Sequence, residues 1–128
     1  MTPSPTWERE GLSVWQGDCL AVMGSMPAEC VDLIVTSPPY FVGKEYEAAW
    51  TWEQYAALLS GFYREAFRIL RPGRYAVVNF GDLHNSGGRM YPADVPSVYP
   101  GGVAQWEWGR AAGFDLQAAR VWRKVFGR

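Results

Sequence analysis

The sequence has almost no excess of charge of either sign. Its 128 residues include 12 lysines and arginines and 13 aspartates and glutamates, which gives a formal net charge of −1. A chain this close to neutrality lacks the positive field that attracts nucleic acids, so its overall charge predicts no strong binding to DNA or RNA. Any contact with nucleic acid would therefore be local, or would be supplied by another chain.

Cysteine, histidine and long apolar runs are also scarce. The two cysteines, Cys19 and Cys30, occur without a secretion signal, which is typical of a protein in a reducing compartment. No apolar run is long enough to span a bilayer. We therefore expect a cytoplasmic protein without membrane association. The single histidine, His84, lies in a stretch with glycine and asparagine, which is more typical of a solvent-facing residue than of a catalyst.

Apolar and aromatic residues are abundant by contrast. Hydrophobic residues make up 48% of the chain and aromatic residues 16%, including seven tryptophans. Such a chain can build a hydrophobic core and does not have the composition of a disordered segment. The length suits one domain. We expect this domain to cover residues 12–128, after a polar, proline-rich and flexible lead-in over residues 1–11.

Strand-like and helix-like segments alternate along the chain. Strands are expected at residues 12–16, 31–36 and 74–80 and from 114 towards the end of the chain. Helices are expected at residues 19–26, from Thr51 to Pro72-Gly73, and at 102–112, with a long loop at 81–101. Thr51 begins a capping-box pattern, and Gly113 is a typical helix end. The alternation predicts an α/β fold with a mainly parallel sheet, in which strand 31–36 is buried on both faces.

The tetrapeptide Ser37-Pro38-Pro39-Tyr40 directly follows this apolar strand. Ligands of open α/β sheets bind at the carboxyl ends of the strands. Proline fixes φ, has no N–H group and keeps the preceding residue extended, so the segment is stiff and rich in carbonyl acceptors. The Ser37 hydroxyl adds an acceptor, and the Tyr40 ring offers a face for a base. Such a segment suits the binding of an amino group, although an ordinary strand-ending turn would explain the same residues.

The tetrapeptide resembles the catalytic motif of the DNA amino-methyltransferases, which methylate the exocyclic amine of cytosine or adenine with S-adenosylmethionine. The serine form, preceded by Thr36, is most similar to the N4-cytosine branch, and aspartate is more typical of the N6-adenine branch. Upstream, Gly17-Asp18-Cys19-Leu20 resembles a family segment in which Gly17 and Asp18 contact the cofactor. Asp18 would accept a hydrogen bond from its adenine amino group, although Asp18 could instead cap the following helix. Residues 70–80 and 113–124 resemble later family segments in the same order.

This resemblance implies direct methyl transfer to a base that is flipped out of the duplex. The Ser37 hydroxyl and the Pro38 carbonyl would accept hydrogen bonds from the exocyclic amine, within a segment that Pro39 helps to stiffen. Tyr40 would stack on the base, and Ser37 would also border the cofactor. Positioning and electrostatics would supply most of the catalysis, and no metal is needed.

The order of the segments implies the permuted, beta type of the family. Only 16 residues precede Gly17, too few for the glycine-rich cofactor loop with its strand and helix. The permuted family carries a Phe-x-Gly-x-Gly loop towards the C-terminus, and this sequence has none. We therefore expect a partial Rossmann-like methyltransferase fold that lacks the C-terminal cofactor-loop half. In the family's sheet two further strands separate strand 12–16 from strand 31–36, so only strands 31–36 and 74–80 would be neighbours.

The expected function is methylation of DNA, with N4 of cytosine favoured over N6 of adenine and restriction–modification as the setting. Unpaired strand edges are a liability. We therefore expect a complementing C-terminal segment, a second chain or a homo-oligomer as partner. The alternative is a non-catalytic remnant that binds DNA or a partner protein without transferring methyl groups.

Overall fold

A computed structural model of the chain describes residues 4–41, 45, 49–81, 83–84, 98–99 and 101–122. The strands are β1 (Trp7–Arg9), β2 (Leu12–Val14), β3 (Val31–Thr36), β4 (Leu70–Val78), β5 (Leu83–His84) and β6 (Val98–Tyr99), and the helices are α1 (Cys19–Ser25), α2 (Trp52–Ile69) and α3 (Gly101–Ala112). Within the described ranges, no helix combines the length and the apolar character that a membrane span requires.

The β3–α2–β4 unit is the centre of the fold. Strands β3 and β4 pair in parallel, with Leu33 opposite Tyr75 and Thr36 opposite Val78. The backbone N–H of Asn79 donates to the Thr36 carbonyl at 2.9 Å, so the pairing continues one residue past the end of β4. Parallel strands joined by a crossover helix are the unit of α/β folds, which confirms the predicted fold class.

Helix α2 begins as its sequence predicts. The Thr51 hydroxyl accepts from the Gln54 N–H at 3.2 Å, and the Thr51 N–H donates to the Gln54 side chain at 2.9 Å, which completes a capping box. One face of α2 is buried and forms most of the core; its buried members are Tyr55, Leu59, Gly61, Tyr63, Ala66 and Ile69. Most of these residues recur at helical spacing, and the buried apolar face that they form is what we call the α2 stripe.

The predicted boundary between α2 and β4 was late by a few residues. The helix ends at Ile69, and β4 starts at Leu70 rather than at residue 74. Leu70 is already opposite Val31, and the register then shifts before Leu33. Gly73 has φ +75°, a left-handed value that glycine adopts without strain. Strand β4 therefore continues through this glycine with an irregular register and does not end there.

Helix α3 packs on α2 through aromatic and polar contacts. The Tyr63 hydroxyl donates to the Gln105 side-chain oxygen at 2.6 Å in a buried position. The Trp108 ring meets the Tyr55 ring edge-on at 5.9 Å. The helix ends at Ala112, and Gly113 follows with φ +115° and donates its N–H to the Arg110 carbonyl. This confirms the predicted helix and its glycine end.

Strand β2 lies outside the parallel sheet. It pairs antiparallel with β1, which falls inside the stretch predicted as a flexible lead-in. Glu10 and Gly11 join the two strands with φ values of +47° and +83°, the signs that a two-residue hairpin turn needs. In the described part of the chain β3 and β4 have only each other as sheet neighbours, as predicted.

The prediction that β3 is buried on both faces is wrong for this chain. The side chains of Leu33, Val35, Tyr75 and Val77 are 56%, 70%, 58% and 53% exposed and form what we call the outer apolar face. The opposite side of β3, with Ile34 and Thr36, lies against a cavity that α2 also lines. This face is open to solvent, and Val35, Tyr75 and Val77 border a second cavity that α3 and residues 114–120 also line.

The strand expected from residue 114 onwards is absent over residues 114–122, and residues 123–128 lie outside the described part. A strand needs a hydrogen-bonded neighbour, and no described strand pairs with this segment. Most of the loop predicted at 81–101 lies outside the described residues. Within it, β5 and β6 pair antiparallel. The interpretation of His84 as a solvent-facing side chain stays a prediction.

Candidate active site

The Ser37–Tyr40 segment leaves the carboxyl end of β3, beside the end of β4. Ser37 is exposed, Pro38, Pro39 and Tyr40 are half-buried, and the next residue, Phe41, is only 1% exposed. The chain therefore passes from the surface into the core within a few residues. The expected position at the carboxyl edge of the sheet is the one observed.

Tyr55 of α2 holds the inner end of this segment. Its hydroxyl donates to the Pro39 carbonyl at 2.9 Å, and its ring stacks on Phe41 with centroids 4.9 Å apart and planes 16° from parallel. Phe41 has φ +56°, which is unfavourable for a residue with a large side chain and costs about 1–3 kcal/mol. Packing of the Phe41 ring among buried aromatics compensates for this conformation.

The two proline carbonyls consequently have different roles. The Pro39 carbonyl is occupied by the Tyr55 hydroxyl. No hydrogen bond from the described residues reaches the Pro38 carbonyl. An acceptor without an internal partner at a half-buried position is suited to an external donor such as an amino group.

Asn79, the residue after β4, holds the outer end of the segment. Its side-chain amide nitrogen donates to the Ser37 hydroxyl oxygen at 3.2 Å and to the Tyr40 hydroxyl at 2.5 Å. The sequence interpretation missed both Asn79 and Tyr55. For Asn79 a signal existed, because the ends of neighbouring parallel strands meet at one edge of a sheet. Tyr55 is indistinguishable in the sequence from the other apolar residues of the α2 stripe.

A cavity of about 420 Å³ lies beside the Ser37–Pro39 segment. Its lining is mainly apolar and comes from α1, β3, α2 and the segment itself; the residues are Cys19, Met23, Val31, Ile34, Thr36, Ser37, Pro38, Pro39, Leu58, Leu59, Phe62 and Ile69. Tyr40 lies outside this lining, with its hydroxyl bound by Asn79. The segment therefore borders an open space and is not an ordinary turn buried in packing.

Asp18 has the capping role that the sequence left open as an alternative. One of its carboxylate oxygens accepts from the Ala21 N–H at 2.9 Å, at the start of α1. Gly17 precedes it with φ +150°, which favours glycine. The cap occupies one oxygen of an exposed carboxylate and leaves the other with acceptor capacity. Capping and a contact with a ligand amino group are therefore compatible.

Cys19 connects the Asp18 segment with the Ser37–Pro39 segment, because it lines the same cavity. Partial burial, and then the negative charge of Asp18, raise the pKa of the Cys19 thiol. A raised pKa keeps the thiol protonated near neutral pH and lowers its nucleophilicity. Cys19 is exposed and its thiol is not activated, so we assign it no catalytic role. Gly17 and Asp18 lie next to the cavity without lining it.

Comparison with known families decides which proteins share this arrangement. The model of the N6/N4 DNA methylase family matches residues 31–125, which include β3, the Ser37–Tyr40 segment, α2, β4 and α3. The chain belongs to this family of DNA amino-methyltransferases.

Individual methyltransferases are similar to parts of the chain. It is 38% identical over 71 residues to the type II methyltransferase M.BglI of Bacillus subtilis, covering 56% of this chain and 20% of that protein. It is 35% identical over 94 residues to the type II methyltransferase M.Cfr9I of Citrobacter freundii, with coverage of 67% and 31%. It is also 35% identical over 65 residues to the DNA adenine methyltransferase YhdJ of Escherichia coli K12, with coverage of 48% and 22%. The chain spans less than a third of each of these relatives.

A solved structure has the same fold over the shared part. The crystal structure of a DNA modification methylase of Thermus thermophilus, in complex with S-adenosyl-L-methionine, superposes with a TM-score of 0.57 at 32% identity. The match covers 77% of this chain and 40% of that one. This similarity confirms a partial methyltransferase fold.

Proposed function

We propose that this chain carries the catalytic segment of an S-adenosylmethionine-dependent DNA methyltransferase of the permuted type. The reaction is methylation of an exocyclic amine, with N4 of cytosine as the favoured target and restriction–modification as the setting. One observation carries the proposal: the stiff, acceptor-rich Ser37–Pro39 segment leaves the carboxyl end of β3 and borders a cavity that Cys19, next to Asp18, also lines.

The proposed chemistry follows from the hydrogen-bonding capacity of the segment. An exocyclic amine is a poor nucleophile because its lone pair is delocalised into the ring. Hydrogen bonds from its N–H groups to the Ser37 hydroxyl and the Pro38 carbonyl favour a more pyramidal nitrogen and direct its lone pair away from these two acceptors. The Tyr55 hydroxyl already takes one lone pair of the Pro39 carbonyl, so the Pro38 carbonyl is the more available acceptor for the amine. Tyr40 stacks on the base, which must leave the duplex to reach this position.

The residues near the cavity fit the cofactor that this chemistry requires. Gly17 has no side chain to obstruct an approach, and the second carboxylate oxygen of Asp18 can accept from the adenine amino group. Ser37 lines the same cavity as Cys19 and would contact both the cofactor and the base. When bound, S-adenosylmethionine supplies an electrophilic methyl group on sulfur. The protein residues bind and orient both reactants, which accounts for most of the expected rate enhancement.

The choice of base rests on the serine form of the segment. Ser37, preceded by Thr36, favours cytosine N4 over adenine N6. Relatives named as type II methyltransferases and one named as a DNA adenine methyltransferase match at similar identity, so the identity values favour neither base. The test is transfer of labelled methyl to DNA followed by nucleoside separation. Labelled N4-methylcytosine is the expected product, whereas labelled N6-methyladenine would reverse the choice of base and retain the reaction class.

The role of Ser37 can be separated from cofactor binding. In Ser37→Ala, loss of one acceptor for the amine should lower the methyl-transfer rate about tenfold or more, at nearly unchanged affinity for S-adenosylmethionine in calorimetry. Ser37 is exposed, so the substitution should leave the fold intact. An equal loss of rate and affinity would contradict the proposed contact with the amine.

We further propose that a complementing methyltransferase segment, in the same or another chain, covers the outer apolar face. Its four large side chains are more than half exposed, and β3 and β4 have no other described sheet neighbour. Support also comes from the solved relative, because the match covers only 40% of that chain. Analytical ultracentrifugation of the chain mixed with the part of that Thermus thermophilus methylase that it does not match tests this proposal. A one-to-one complex is expected, and a stable homodimer that excludes this segment would replace the proposal.

The alternative is a remnant that binds DNA or a partner protein without transferring methyl groups, and the feature that keeps it open is that this sequence contains no Phe-x-Gly-x-Gly loop. Calorimetry with S-adenosylmethionine distinguishes the two functions. Failure to bind the cofactor, even after the complementing segment is added, would favour the remnant.

A further inference from the structure

Asn79 is placed at the outer end of the segment by the parallel pairing. Thr36 is opposite Val78, and the Asn79 N–H donates to the Thr36 carbonyl at 2.9 Å. This bond fixes the backbone of Asn79 beside the first residue of the segment. Because side chains alternate between the two faces of a strand, the position along the ladder decides where the amide points.

The Asn79 amide meets the two residues that flank the prolines. It donates to the Ser37 hydroxyl oxygen at 3.2 Å and to the Tyr40 hydroxyl at 2.5 Å. The prolines stiffen the backbone between these residues, but they do not restrict rotation about the side-chain bonds of Ser37 and Tyr40. The Asn79 side chain is exposed, but one amide that reaches both hydroxyls supplies a restraint that the prolines lack.

We propose that Asn79 is a positioning residue, which fixes the direction of the Ser37 hydroxyl and the plane of the Tyr40 ring together. The inference rests on the proposed function and assigns this role to a residue outside the segment itself. By donating to Ser37, the amide uses one lone pair of the hydroxyl oxygen and leaves the other for an N–H of the substrate amine. By donating to the Tyr40 hydroxyl, it restricts rotation of the ring beside Ser37.

The geometry is tested without any catalytic assay. The two side-chain amide protons of Asn79 are assigned in a ¹⁵N–¹H NMR spectrum of the full chain, by their disappearance in Asn79→Leu. We expect Ser37→Ala and Tyr40→Phe each to shift these signals, while the exposed amide of Gln117 stays unchanged as an internal control. If neither substitution moves the Asn79 signals, the bridge does not exist in solution and the proposal is wrong.

The positioning role is tested by kinetics with the complementing segment present. Asn79→Leu should lower kcat for methyl transfer about tenfold and leave KM for S-adenosylmethionine unchanged, because hydrogen bonds to the acceptor and the stacking ring are lost. Gln117→Leu removes an exposed amide that lines the same second cavity as Ser37 and Asn79 but has no hydrogen bond to either in the described part of the chain. It is therefore the matched control and should have no effect. In a Ser37→Ala background, Asn79→Leu should cause a much smaller further loss than in the wild type.

Equal loss in both backgrounds would indicate a general structural effect and overturn the proposal. Absence of methyl transfer by the wild-type protein would count against the proposed function. In that case the NMR signals still decide whether Asn79 holds Ser37 and Tyr40, so the two failures are distinguishable.

Discussion

The hydrogen bond from Tyr55 to the Pro39 carbonyl gives the sharpest prediction about stability. Tyr55→Phe removes only the hydroxyl group that donates at 2.9 Å. The Tyr55 side chain is 2% exposed, and its ring stacks on Phe41 with centroids 4.9 Å apart. Phenylalanine keeps this stack and fills the same space, so the substitution isolates the hydroxyl from the packing.

The expected loss follows from the surroundings of the carbonyl. A net intramolecular hydrogen bond contributes about 0.5–1.5 kcal/mol, and leaving a buried acceptor without a donor costs about 1–3 kcal/mol. Pro39 is half-buried, so water can replace the donor only in part. We therefore expect Tyr55→Phe to lower the free energy of unfolding by about 1–2 kcal/mol.

Urea unfolding followed by tryptophan fluorescence measures this loss, because the ring centroids of Trp52 and Trp108 lie 5.8 Å and 5.9 Å from that of Tyr55. Tyr75→Phe is the matched control: it removes a hydroxyl from a side chain that is 58% exposed and should change stability by less than about 0.5 kcal/mol. Equal effects of the two substitutions would refute the reasoning, since the hydroxyl of Tyr55 would then have no special partner.

Two further predictions concern the start of α1 and the contact between α2 and α3. Asp18→Ala should lower the free energy of unfolding by about 1 kcal/mol through loss of the helix cap, whereas Asp18→Ser, which keeps a capping oxygen, should retain most of the stability. If Asp18 contacts the cofactor, calorimetry should show that both variants bind S-adenosylmethionine more weakly. Unchanged binding would mean that Asp18 is only a helix cap. Burial raises the pKa of Tyr63 to about 12, above the value of about 10 for tyrosine in an unfolded chain. As pH rises, the Tyr63 hydroxyl therefore loses its proton first in the unfolded state. The free energy of unfolding should consequently fall as pH rises from about 10 through 12. Tyr63→Phe should lack this part of the fall. If urea unfolding gave the same loss of unfolding free energy with pH for both proteins, the prediction would be wrong.

Much of the local structure was predictable because its causes are local. The capping box of Thr51 and the glycine after α3 involve residues close in sequence, and both were predicted at their observed positions. The Ser37–Tyr40 segment was recognisable because two prolines restrict their own backbone and that of the residue before them. The wrong predictions concern strands, whose formation and burial depend on which other segments pair with them or cover them. The segment from residue 114 has the composition of a strand but no described partner, and β3 has the composition of a fully buried strand but only one covered face.

The sequence by itself determined the positions of the helices, the stiffness of the Ser37–Tyr40 segment and its acceptor-rich character. The tertiary structure decided which groups surround that segment. Asn79 bonds to residues 42 and 39 positions away, and Tyr55 bonds to a carbonyl 16 positions away. These contacts depend on the parallel register of β3 and β4 and on the face that α2 turns to the core. Register and packing are set by contacts across the whole domain, and no short stretch of sequence contains them.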